Sequence, residues 1–262
     1  MSLKSVLRGI APLAALAFAA AASGGCNKMH VSLDGEEGMK LADLDLSGTP
    51  PNEVALLGPD TVRIVQGDKL AISVDGDSEV AGRMRFTLND GSLGIMREGG
   101  KWSGDEVVTV NVTMPAPKKL VMAGSGKIFS PALASDSARV TVAGSGTVET
   151  EGVATESLKV DIAGSGSYRA AGSAKSLKIS IAGSGDAQLD ALKVEDAKID
   201  IAGSGNTAFA SDGTVRANIM GSGEVRVIGR ATCKVTSMGS GRLVCEPAAS
   251  AGAKPKEDKP KA

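Results

Sequence analysis

Aromatic side chains are scarce: Phe, Trp and Tyr make up 2% of the 262 residues. A core must therefore be aliphatic, and a surface that stacks nucleic-acid bases has too few rings to be built. Histidine is scarcer still. His30 is the single one, so a histidine-based catalytic triad and a three-histidine zinc site are both excluded by count. The three cysteines form no Cys-x-x-Cys pair. Asp34-Gly35-Glu36 and Asp75-Gly76-Asp77 are turn-like and lack the spacing of a calcium loop. The net charge of -1 excludes a globally basic protein but leaves room for local segregation of charge. No metal or other cofactor is expected.

The apolar stretch Gly9–Ala22, interrupted by Pro12, is short for a membrane span. Preceded by Lys4 and Arg8, it reads as an export signal over residues 1–25. Ser23-Gly24-Gly25-Cys26 resembles a bacterial lipobox, which makes Cys26 the expected lipidation site and mature N-terminus. The match departs at Ser23, where that motif prefers Leu, and ordinary cleavage near Ala20-Ala21-Ala22 is the alternative. The expected location is the cell envelope, in the outer membrane or facing the periplasm, with secretion if Cys26 carries no lipid. Residues 26–43 are polar and Gly-containing and read as a tether. At the other end, residues 247–262 combine Lys254, Lys256, Lys259 and Lys261 with prolines, show no apolar periodicity and read as a disordered tail.

What the chain has in abundance is glycine, 34 residues, much of it in register. Gly-Ser-Gly recurs with its first glycine at 124, 144, 164, 183, 203, 221 and 239, a period of 18 to 20 residues that belongs to a solenoid. Two residues before each motif stand Met122, Val142, Ile162, Ile181, Ile201, Ile219 and Ser237; four before stand Leu120, Val140, Val160, Ile179, Ile199, Ala217 and Val235. A third column, two after the motif, holds Ile128, Val148, Tyr168, Ala187, Thr207, Val225 and Leu243. This period-two alternation predicts strands with one buried face. Each repeat reads as strand, Gly-Ser-Gly corner, strand and a second, looser turn, with repeats stacked in parallel ~4.8 Å apart. The corner glycines read as backbone chemistry, a tight turn at positive φ; an anion-binding nest is the less economical reading. Upstream, Val62–Val65, Leu70–Val74, Met84–Leu88 and Val107–Val112 read as further, less regular strands, with a turn at Asn89-Asp90-Gly91. Trp102 falls in a loop after Gly99-Gly100.

Val112-Thr113-Met114-Pro115 running into Lys119-Leu120-Val121-Met122-Ala123-Gly124-Ser125-Gly126, followed by reiterated Ala-Gly-Ser-Gly, resembles the GIN domain, an adhesin head-domain family of exported bacterial proteins. The resemblance covers roughly residues 44–246, with the regular repeats at 118–246. It implies an all-β fold, a right-handed parallel β-helix, and no catalytic residues.

One column is basic in every repeat. Five residues before each motif stand Lys119, Arg139, Lys159, Lys178, Lys198, Arg216 and Lys234, all between inward positions and so directed to solvent. Such a ladder suits an extended anionic polymer, an acidic polysaccharide or lipopolysaccharide rather than nucleic acid. A solubilising face copied with each duplication is the alternative. Outward neighbours Thr141, Asp161, Ser180, Asp200, Asn218 and Thr236 are small or acidic and offer partial compensation. Asp161 and Asp200 share a column two coils apart, ~10 Å, wider than the ~9.5 Å limit of paired glycosidase carboxylates. The chain is therefore read as a binding or adhesin-like module, with a structural envelope protein second and a polysaccharide-active enzyme a distant third. Cys233 and Cys245 occupy inward offsets on either side of the last corner and are expected to form a disulfide, with two free thiols as the alternative.

Overall fold

The computed structural model of the protein describes residues 32–33, 36–98 and 106–247. In chain order its strands are β1 (Ser32–Leu33), β2 (Glu36–Glu37), β3 (Glu53–Gly58), β4 (Thr61–Gln66), β5 (Ala71–Asp75), β6 (Met84–Asn89), β7 (Ser92–Arg97), β8 (Thr109–Met114) and β9 (Lys119–Gly124). They continue as β10 (Lys127–Gly144), β11 (Thr147–Gly164), β12 (Ser167–Gly183), β13 (Asp186–Gly203), β14 (Asn206–Gly221), β15 (Glu224–Ile228), β16 (Thr232–Met238) and β17 (Arg242–Glu246). β1 and β2 pair with each other, and the other fifteen form one sheet.

From β9 onward every pairing is parallel, and the sheet winds into a parallel β-helix of about six turns. β10 to β14 each run from one Gly-Ser-Gly corner to the next, so one long bent strand makes one coil. Between β10 and β11 the register holds over 127–130, 132–135 and 137–144, and breaks at Pro131 and Asp136. The coil thus has three runs, one more than the repeat pattern predicts. The two bends outside Gly-Ser-Gly carry no repeated glycine: Asp136, Glu156 and Lys175 occupy equivalent places at one of them.

The inward columns are the core. Met122, Val142, Ile162, Ile181, Ile201 and Ile219 are register partners in a single line and are all buried, as are Leu120, Val140, Val160, Ile179, Ile199 and Ala217. Parallel stacking sets each aliphatic on its equivalent in the next coil, so no coil buries its face alone. Facing them is the column of Ile128, Val148, Tyr168, Ala187, Thr207 and Val225. Tyr168 is fully buried, hydrogen-bonds Thr150 Oγ1 at 2.8 Å, and burial pushes its phenol pKa up.

At five of the seven Gly-Ser-Gly corners the serine N–H of one coil donates to the first-glycine carbonyl of the coil before, as Ser204 does to Gly183 at 2.9 Å; at the Gly124 and Gly239 corners Gly126 and Gly241 donate instead. A donor that an anion nest would need is thereby used within the stack, which favours the architectural reading of the corners.

The N-terminal end is closed by antiparallel strands, β5 on β8 and β6 on β7. Gly58-Pro59-Asp60 is a degenerate corner of the same stack: Gly58 pairs with Gly124, and its carbonyl accepts from Gly126 N–H at 2.9 Å. The buried Asp60 carboxylate pairs with the buried Arg97 guanidinium and accepts from Val108 N–H at 3.1 Å. Part of the segment expected as a tether belongs to this end, since Leu41 packs against the core and Met39 bridges to Phe86.

At the C-terminal end Cys233 and Cys245 are disulfide-bonded, joining β16 to β17 across the coil with Cα atoms 6.8 Å apart. Each stacks on a buried valine, Val215 and Val227. The bridge closes a 12-residue separation, for which chain entropy gives about 3 kcal/mol. Reduction is expected to lower stability by about that amount in equilibrium unfolding, with the last coil loosening first. An unchanged transition under reductant would contradict the bridge's role.

Candidate functional site

The basic ladder lies on the third run of each coil, the stretch that leads into the Gly-Ser-Gly corner. Lys119, Arg139, Lys159, Lys178, Lys198, Arg216 and Lys234 are consecutive register partners, one line along the solenoid axis. Their outward direction follows from their neighbours: the residues after them, Leu120 through Ala217, are buried in every coil but the last. Successive positions are ~4.8 Å apart.

The seven positions are not equivalent. Glu53 extends the column by one coil at its N-terminal end, and its carboxylate meets Lys119 Nζ at 2.7 Å. Asp161 lies 3.3 Å from both Arg139 Nε and Lys159 Nζ. Lys198 reaches Asp200 at 3.7 Å, and Asp200 also accepts from Asn218 Nδ2 at 2.7 Å. These pairs are the diagonal and same-strand contacts that relieve like-charge stacking. Lys178, Arg216 and Lys234 have no carboxylate within ion-pair distance among the described residues. Their outward neighbours along the strand are hydroxyls and an amide: Ser176 and Ser180, Thr214 and Asn218, Thr232 and Thr236.

Exposure does not simply track pairing: the Lys119, Arg139 and Lys159 side chains are 37%, 34% and 23% exposed, whereas Lys198, with Asp200 beside it, is 58% exposed. The N-terminal half of the ladder is folded onto carboxylates, and the free positive field belongs to its C-terminal half. Beside it, at the bend between the second and third runs, Asp136, Glu156, Glu195 and Asp212 form a rim interrupted by Lys175. Lys175 donates to Glu156, which raises its pKa, and Asp212 is held low by the backbone N–H of Arg230. Asp161 and Asp200 are separated in register by Ser180, as the spacing requires. Cys26, His30 and Trp102 lie outside the described residues.

Residues 50–231 match the family described as "Putative auto-transporter adhesin, head GIN domain". The chain belongs to this family. Among the solved structures that share this fold, three illustrate the likeness. One described as a putative adhesin from Bacteroides fragilis aligns with a TM-score of 0.65 at 16% identity, covering 76% of this chain and 92% of the other. A putative lipid binding protein from Parabacteroides distasonis aligns at 0.58 and 20% identity, covering 77% and 94%. A putative adhesin from the same species aligns at 0.56 and 21%, again covering 77% and 94%. At these identities the likeness is one of fold. No curated protein matches the chain. Neither the family nor these neighbours are described as enzymes.

Proposed function

We propose that this GIN domain is an exported, adhesin-like module of the cell envelope, held there by lipid on Cys26, that binds an extended anionic glycan along its basic ladder. The observation that carries the reading is the unbroken register of seven bases, with three of them free of carboxylates and flanked by hydroxyl and amide groups suited to sugar hydrogen bonding. The ligand class is an acidic polysaccharide or the anionic saccharide of lipopolysaccharide. Contacts of this kind are individually weak and screened over ~8 Å at physiological ionic strength, so several must act together.

A structural reading, in which the column only solubilises the sheet, is favoured by the pairing of Lys119, Arg139 and Lys159 with acids. Replacing Lys178, Lys198 and Arg216 with Gln separates the two. The glycan reading expects the parent to bind an acidic glycan or lipopolysaccharide at low salt, the variant to lose at least tenfold in affinity, and both to melt alike. Equal binding by parent and variant, or none by the parent, leaves the column as a solubilising face. Labelled palmitate incorporated by the parent and lost in Cys26→Ser is the matching test of the anchor.

A further inference from the structure

The two most exposed large apolar side chains among the described residues both belong to the last coil: Val235 at 50% and Met238 at 69%. Val235 continues a column that is buried in every preceding coil, and it is open because no further coil covers it among the described residues. Met238 stacks on Met220; in the earlier coils this position is the alanine of Ala-Gly-Ser-Gly. Enlarging a small side chain at the end of the stack adds apolar surface where the solenoid meets water. Ser237, by contrast, replaces the isoleucine of its column and donates its hydroxyl to Gly241 O at 2.9 Å. The end is therefore amphipathic, and the disulfide fixes its two strands to each other.

The end's own charged residues are mostly basic, although carboxylates of the coil beneath pair with two of them. The described part of the last coil after Ile228 holds Arg230, Lys234 and Arg242 against a single acid, Glu246, in a chain whose net charge is -1. Lys234 has no ion-pair partner among the described residues and adjoins Val235. Arg230 and Arg242 face carboxylates of the coil beneath, Asp212 and Glu224, yet stay 85% and 71% exposed.

We propose that the C-terminal end of the solenoid docks on an anionic lipid bilayer, with Val235 and Met238 at the headgroup–acyl boundary and Lys234, Arg230 and Arg242 at the headgroup phosphates. Apolar burial and attraction to anionic lipid act together at such a surface. Charge complementarity selects this occupant over a second copy, since two like ends would set Lys234 and Arg242 of one against those of the other. A soluble glycan would leave Val235 and Met238 in water. The inference does not rest on the glycan reading of the ladder, with which it shares Lys234 alone.

The test is vesicle co-sedimentation of residues 26–262 carrying Cys26→Ser, so that neither signal nor acyl chain contributes. The expected result is binding to vesicles of equimolar phosphatidylglycerol and phosphatidylcholine but not of phosphatidylcholine alone, and no competition by free glycerol phosphate. Val235→Ser/Met238→Ser is expected to lose at least tenfold in vesicle affinity and Lys234→Gln several-fold, with melting temperatures unchanged. The Lys178, Lys198 and Arg216 triple variant is expected to keep vesicle binding whatever it does with glycans. The Lys-rich tail is present throughout, so undiminished binding by the serine variant would assign attraction to the tail and overturn the proposal. Failure of the parent to bind anionic vesicles would also overturn it, as would a solution dimer abolished by the same serines.

Discussion

Ile181→Asp is expected to unfold the solenoid, while the same carboxylate one residue earlier, Ser180→Asp, leaves it folded. Ile181 is 2% exposed and stacked between Ile162 and Ile201. The substitution removes a buried aliphatic, about 3 kcal/mol with its cavity, and leaves a carboxylate without partner among aliphatics, a further ~3–5 kcal/mol. The sum approaches the whole stability of an ordinary domain, ~5–15 kcal/mol. At position 180 the side chain points outward between Asp161 and Asp200, and like charges there cost about 1 kcal/mol or less. Lys178, two residues away on the same strand and without a carboxylate partner among the described residues, offsets part of that. Circular dichroism melts of the two variants decide the matter. If Ile181→Asp melts within a degree or two of the parent, the inward column is misassigned.

That contrast shows why so much of the fold can be read from residues alone. In a strand the face changes with every residue, so a strict period of two repeated over seven coils overdetermines which side is buried. The Cys233–Cys245 bridge was legible for the same reason, both cysteines standing at inward offsets. The first coil was harder. Glu53–Gly58 has Val54 and Leu56 at the same offsets from Gly58 as the later columns have from theirs, but its corner is Gly-Pro-Asp, so a search for Gly-Ser-Gly passes over it. The bends at Pro131 and Asp136 were illegible because no glycine recurs there; the second carries acids, Asp136, Glu156, Glu195 and Asp212, broken by Lys175, and acids alone mark no turn. The ladder and its partial compensation by Asp161 and Asp200 were visible as columns; which bases pair was not, since Arg139 meets Asp161 of the next coil only through the register between coils. The exposure of Val235 likewise follows from its place in the last of the described coils rather than from its own residue type.

Gly203→Ala is expected to destabilise the protein by about 4 kcal/mol, from backbone strain of ~1–3 kcal/mol and steric overpacking of similar size. Gly203 sits at φ +135°, outside the range an L side chain adopts readily, and a Cβ built there would stand 2.1 Å from the Gly183 carbonyl oxygen. That oxygen belongs to the preceding corner and already accepts from Ser204 N–H. It cannot retreat without breaking the hydrogen bond that stacks the two corners. Neighbouring positions calibrate the claim. Gly205 has no positive φ, and its Cβ would crowd Gly185 O at 2.4 Å and Ile181 Cγ2 at 2.6 Å. Gly205→Ala should therefore show the steric part alone, about 1–3 kcal/mol. Ser204 is exposed, and Ser204→Ala should stay within about 0.5 kcal/mol of the parent. Equilibrium unfolding of the three variants is expected to rank them Gly203→Ala, Gly205→Ala, Ser204→Ala in decreasing damage. A Gly203→Ala protein no less stable than Ser204→Ala would mean that the first glycine of the motif is not required by the corner. The serine, not the glycine, would then have to explain why the motif recurs in seven coils.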